Sequence, residues 1–118
     1  MDVVSLGYGH TVTSERVREA LAEFVRERDW AQFHTPANLA KSISIEAAEL
    51  LECFQWNEEE ADEARVREEL ADIVTYCTLL AERLHVDLDE IVLEKLAATR
   101  AKYPIEKSRG RSTKYDAL

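Results

Sequence analysis

Residues 43–76 read ISIEAAELLECFQWNEEEADEARVREELADIVTY, and this stretch decides the fold. The helix that enters its first half carries an apolar stripe at helical spacing, Leu39, Ile43, Ala47, Leu50, Leu51 and Phe54, which holds as far as Trp56. Its second half opens another helix, Ala61 to Leu84, with Val66, Leu70, Ile73, Val74, Cys77, Leu80, Ala81 and Leu84 inward. Between them lies Asn57-Glu58-Glu59-Glu60, a polar turn. On the first helix Glu46 and Glu49 stand three positions apart, and on the second Glu69 and Asp72 repeat that spacing. Each pair shares one side of its helix and borders the apolar stripe. In an antiparallel hairpin, pairing Glu46 with Asp72 and Glu49 with Glu69 centres the turn on residue 59, inside the polar stretch. Four carboxylates then meet in one patch. Like charges that close beside a core need a counter-ion, and a hard divalent cation with oxygen ligands, Mg²⁺ or Mn²⁺, supplies it. A di-iron bundle would need two ExxH pairs, and only Glu82-Arg83-Leu84-His85 matches, so His85 is read as an ordinary residue near a helix end.

Working outward, two more helices are expected. One runs from Ser14 to Arg28 with Val17, Leu21, Phe24 and Val25 on its apolar side. The hairpin's first helix starts where Thr35 caps and Pro36 takes the first helical position. The last opens at Asp87, with Glu90 three residues on, and runs to Lys102 before Tyr103-Pro104 stops it. The fold expected is all-α, a compact four-helix arrangement with a central antiparallel hairpin carrying the acidic site. Residues 1–13 form an N-terminal segment, 14–104 the helical domain and 105–118 a basic tail without periodicity.

The 118 residues carry 15 Lys and Arg against 24 Asp and Glu, a net charge of −9. That charge is uneven: residues 46–72 hold 11 acids and 2 bases, while residues 95–118 hold 7 bases and 2 acids. An acidic chain repels nucleic acid backbones, so DNA or RNA binding is not expected. The apolar run Ile73 to Ala81 is too short to cross a membrane, and MDVVSLGYGH lacks the marks of a secretory signal. Cys53 and Cys77, without a CxxC, read as reduced thiols of a cytoplasmic protein.

The paired motifs Glu46-Ala-Ala-Glu49 and Glu69-Leu-Ala-Asp72 resemble those of the MazG-like all-α nucleoside triphosphate pyrophosphohydrolases. The segments RERDWAQFHTPANL, SIEAAELLECFQW, EELADIVTY and RAKYPIEKSRGRSTKY extend the resemblance over residues 15–115, toward the dCTP pyrophosphatase branch. The resemblance implies hydrolysis of a nucleoside triphosphate, dCTP or a modified dCTP, to the monophosphate and pyrophosphate with Mg²⁺, as nucleotide-pool housekeeping. It makes Glu46, Glu49, Glu69 and Asp72 the catalytic metal ligands. It places Trp30, Phe33, Trp56 and Tyr76 around the base, with Gln32 and His34 in the substrate-contacting segment. Where that branch has His on the first helix, nine residues before the RDW tryptophan, this chain has Leu21, which bears on cytosine selectivity. Lys95, Arg100 and Lys102 are expected to meet the triphosphate, with Thr99 where relatives often have Asn. Arg109, Lys114 and Tyr115 would close over a neighbouring subunit's site in a homodimer or homotetramer. The alternatives are a pyrophosphatase for dUTP or for pyrimidine triphosphates broadly, and a non-catalytic protein that binds a nucleotide or another helix.

Overall fold

The structure, a computed structural model, describes residues 12–118, so most of the N-terminal segment 1–13 lies outside the described residues. Five helices follow one another: α1 (Glu15–Glu27), α2 (Pro36–Glu52), α3 (Glu63–Leu84), α4 (Leu88–Lys102) and the single turn α5 (Ile105–Ser108). Short 3₁₀ turns form at Ala31–Phe33, Glu58–Glu60 and Tyr115–Ala117. Among the described residues there is no strand.

Each long helix begins where a side chain satisfies its orphan N–H groups. Ser14 accepts from the Val17 amide at 3.2 Å, and Thr35 accepts from the Asn38 amide at 3.1 Å ahead of Pro36. Asp87 Oδ1 accepts from the amides of Asp89 and Glu90. The start of α3 lies two residues beyond the expected Ala61, because Asp62 caps it by accepting from Ala64 and Arg65. Asp62→Ala should destabilise the chain by about 1 kcal/mol. Thermal unfolding followed by circular dichroism checks this; an unchanged midpoint would show the cap to be idle.

The end of α2 also differs from expectation. It stops at Glu52, not Trp56, because the Cys53 and Phe54 amides donate to the carbonyls three residues back and tighten the chain out of the α form. Asn57 then caps the 3₁₀ turn by accepting from the Glu59 amide at 3.1 Å.

The two central helices pack on each other, and their cross-contacts run in opposite senses: Glu52 with Arg65, Glu49 with Glu69, Glu46 with Asp72. Apart from Glu69, the buried residues lie at the end of this pair away from the turn. Leu39 in α2 is 1% exposed, and Thr78 and Ala81 in α3 are also buried, with the Thr78 hydroxyl donating to the Val74 carbonyl at 2.8 Å. The four principal helices are those the sequence called for, but their packing is more open than a closed bundle. The radius of gyration is 17.7 Å, against about 13–14 Å for a compact chain of this length. Leu70, expected inward, is exposed, as are Ile91, Val92, Leu93 and Leu96 along α4. Periodicity reports that a face is apolar, not that the same chain covers it.

The basic tail has more order than its composition suggests. After α5 the chain turns through Gly110 at φ +73°, a left-handed conformation that favours glycine, and returns to α4. There Tyr115 packs edge-to-face on Tyr103, ring centroids 6.1 Å apart.

Candidate active site

The acidic site lies on the α2–α3 pair, between its buried end and its turn. Carboxylate oxygens of Glu46, Glu49 and Glu69 all fall within 4.8 Å of one another. Glu69 is 8% exposed, an uncommon degree of burial for a carboxylate, and its Oε2 is buried without a hydrogen-bond partner. Asp72 is exposed and reaches Glu46 from α3. One helical turn toward the loop, Arg65 Nη2 meets Glu52 Oε1 at 3.2 Å and cancels the next carboxylate out from the cluster.

The electrostatics follow from this crowding. The hydrogen bond with Glu49 pushes Glu46 from 4.5 up to about 7; partial burial, the hydrogen bond with Asp72 and the charges of Glu49 and Glu69 act the same way. Burial raises Glu69 above its usual range, helped by the charge and contact of Glu49 and opposed by the Arg65 guanidinium. Crowding that keeps a proton on Glu46 up to about 7 is what a divalent cation would relieve. The donor atoms are all oxygens and one of them is buried and unpartnered, which fits a hard cation such as Mg²⁺ or Mn²⁺.

The other expected site residues are scattered in the single chain. Trp30 lies edge-to-face on Phe24, centroids 5.4 Å apart, and the Arg28 guanidinium covers the Phe24 ring at 3.9 Å. Asp29, at φ +52°, turns the chain back so that the Trp30 amide reaches the Val25 carbonyl. Gln32 donates from Nε2 to the carbonyl and carboxylate of Asp29, and Phe33 is exposed with its carbonyl taken by Asn38. Trp56 is 87% exposed beyond the end of α2. Tyr76 is half-buried one turn past Asp72, and Leu21 is half-buried on α1. Among the described residues the aromatic pairs are Phe24–Trp30 and Tyr103–Tyr115, so Trp30, Phe33, Trp56 and Tyr76 do not stack into a base pocket within one chain.

Of the expected substrate contacts, His34 lines a cavity. It faces an open space of about 430 Å³ with Val25, Leu79, Arg83 and His85, away from the acidic cluster. Lys95, Arg100 and Lys102 are exposed on α4, and Arg109 and Lys114 are exposed in the tail. The Lys102 ammonium stands 4.6 Å from the centroid of the Tyr115 ring. Within the single chain Tyr115 thus packs on the end of its own α4. Two features went unread in the sequence. The Glu52–Arg65 pair was legible as the next rung of the same antiparallel register. Tyr103, by contrast, carried no local signal of its contact twelve residues on.

The chain is similar to known proteins. The chain is 41% identical over 115 residues to dCTP pyrophosphatase 1 of Mus musculus, covering 90% of this chain and 68% of that protein. It is 43% identical to the Bos taurus and 40% to the Homo sapiens protein of that name over the same shares. In three dimensions it resembles the crystal structure of a pyrophosphatase from Archaeoglobus fulgidus, with a TM-score of 0.73 and 42% identity over 76% of this chain and 91% of that one. The model of the MazG-like family matches residues 41–118, which span the second acid-bearing helix, all but the first turn of its partner, α4 and the tail. With its crowded acids on paired helices and relatives at these identities, the chain belongs to the MazG-like family.

Proposed function

We propose that this chain, a nucleoside triphosphate pyrophosphohydrolase, acts on dCTP or a modified dCTP with Mg²⁺, releasing the monophosphate and pyrophosphate. The observation that carries the reading is the convergence of Glu46, Glu49 and Glu69 within 4.8 Å. The names of the mouse, cattle and human relatives supply the substrate. Glu46, Glu49, Glu69 and Asp72 would hold the cation, which supplies neutralisation of phosphate charge and a lowered barrier to water attack. The chain's own part is to fix four acids on two rigid helices, where their geometry survives substrate entry. Lys95, Arg100 and Lys102 offer charge to the phosphates. Trp30, Phe33, Trp56 and Tyr76, with Gln32, His34 and the Leu21 position, would surround the base.

A single chain does not assemble those aromatic residues, and it leaves Ile91, Val92, Leu93 and Leu96 of α4 uncovered. Both facts favour a homodimer or homotetramer in which a neighbour completes the pocket and Arg109 and Lys114 reach across. No described helix is long and apolar enough to cross a membrane. A nucleotide-pool role in the cytoplasm accords with that and with the two free cysteines.

Incubation with each dNTP, dUTP and 5-substituted dCTPs in the presence of Mg²⁺, with products separated by ion-exchange chromatography, tests the reading. Monophosphate and pyrophosphate are expected, with the highest kcat/KM for a cytosine base. Preference for dUTP would move the substrate, and binding without turnover across the panel would sink the enzyme reading.

A further inference from the structure

The end of α4 and the tail meet through three contacts. Tyr103 follows the last residue of α4 and is half-buried. Its hydroxyl accepts a hydrogen bond from the Tyr115 amide at 3.2 Å, across twelve residues. The two rings sit edge-to-face at 80°. The face of Tyr115 in turn carries the Lys102 ammonium, 4.6 Å from its centroid. Tyr103 thus holds Tyr115 twice, by hydroxyl and by ring, and Tyr115 holds Lys102.

The kind of partner matters as much as the contact. A carboxylate would fix a lysine and cancel its charge, as Glu52 does for Arg65. An aromatic face attracts the cation through its quadrupole and leaves the net charge in place. Among the described residues no carboxylate lies within ion-pair distance of Lys102. Its N–H donors on the side away from the ring stay open to an anion. A lysine on an exposed helix end normally loses rotamer freedom when it meets a phosphate, and one already seated on a ring has lost much of it beforehand.

We propose that Tyr103 is a positioning residue, which through Tyr115 seats the Lys102 ammonium, still fully charged, to receive a polyphosphate. This rests on the reading of the end of α4 as phosphate-facing. A phenylalanine at 103 would keep the ring contact and lose the acceptor for the Tyr115 amide, so the hydroxyl is the part that can be tested with least disturbance.

The experiment uses full-length protein in four forms: the parent chain, Tyr103→Phe, Lys102→Gln and the double variant. Each is titrated calorimetrically with inorganic tripolyphosphate in Mg²⁺, a probe without base or sugar. Trypsin cleavage after Lys114 is followed in parallel by mass spectrometry, and circular dichroism confirms that each form is folded. Tyr103→Phe should weaken binding about threefold to tenfold in the parent background. It should have no further effect once Lys102 is Gln, because the tyrosine acts through that ammonium. Cleavage after Lys114 should quicken in both Phe variants.

Equal affinity for parent and Tyr103→Phe, the same loss in the Lys102→Gln background, or no binding by the parent would each overturn the proposal. So would unchanged cleavage, which would mean that the hydroxyl does not pin the tail. Neither measurement needs turnover. A chain that couples Tyr103 to Lys102 yet hydrolyses no triphosphate would refute the proposed function alone. One that hydrolyses dCTP without that coupling would refute this inference alone.

Discussion

Glu49→Gln should bring triphosphate hydrolysis to background while leaving the helical circular dichroism intact. The side chain keeps its size and loses its charge, so the change removes one oxygen ligand without opening a cavity. Residues that merely support metal ligands cost roughly 10–100-fold in affinity or activity when replaced, and a ligand itself should cost more. Asp72→Asn should act likewise from α3. A second effect separates this from simple damage. Glu49 is the leading cause of the Glu46 shift and also raises Glu69. Without its charge both neighbours should ionise more readily, and the cation-free variant should unfold at a higher temperature than the parent at pH 8. A dead and less stable variant would place Glu49 in the packing of the helix pair, and retained turnover would remove it from the site. An enzyme that gains stability when it loses an active-site charge is the usual sign of strain kept for function.

The dependence on pH and cations should be equally large. In the folded chain Glu46 keeps its proton up to about 7, while in the unfolded chain it loses it near 4.5. Between those values the folded chain binds the extra proton, so acid favours it. The stability of the cation-free protein should therefore fall as pH rises from about 4.5 through 7. Glu69, raised as well, adds to the same trend. A divalent cation competes with that proton, so its affinity should climb over the same range and level off above it. Scanning calorimetry in EDTA and in saturating Mn²⁺, at pH 6 and pH 8, reads both halves. The expected result is a lower midpoint at pH 8 in EDTA and a larger Mn²⁺ shift at pH 8 than at pH 6. Equal shifts at both pH values would mean that the cation does not displace the Glu46 proton.

How much of this was written in the sequence depends on the range of the interaction. Ser14, Thr35-Pro36 and Asp87 announced their helices because a cap acts within one turn and depends on few neighbours. The closeness of Glu46, Glu49 and Glu69 was legible because two helices of period 3.6 and one polar turn leave little freedom in register. The end of α2 was not, since Phe54 and Trp56 keep helical spacing while the backbone has already tightened at Cys53. Leu70 showed the reverse limit: its period is right and its side is exposed, because the pattern carries no information about which chain provides the cover. The fold of the tail rests on Tyr103 and Tyr115, a contact that no periodicity encodes. For the same reason the aromatic residues expected around a base could be named but not assembled.

Among the described residues Leu39 is the one large side chain wholly withdrawn from water. A core that small contributes little against the conformational entropy of a folded chain. Whatever covers Leu51, Leu93 or Ile105 then adds to stability by mass action, as the logarithm of its concentration over its dissociation constant. In the homodimer or homotetramer we propose, that cover is another copy of the chain and dilution becomes a denaturant. The folded fraction of such an assembly, and with it the spacing of its acids, is a property of the population before it is a property of any one molecule.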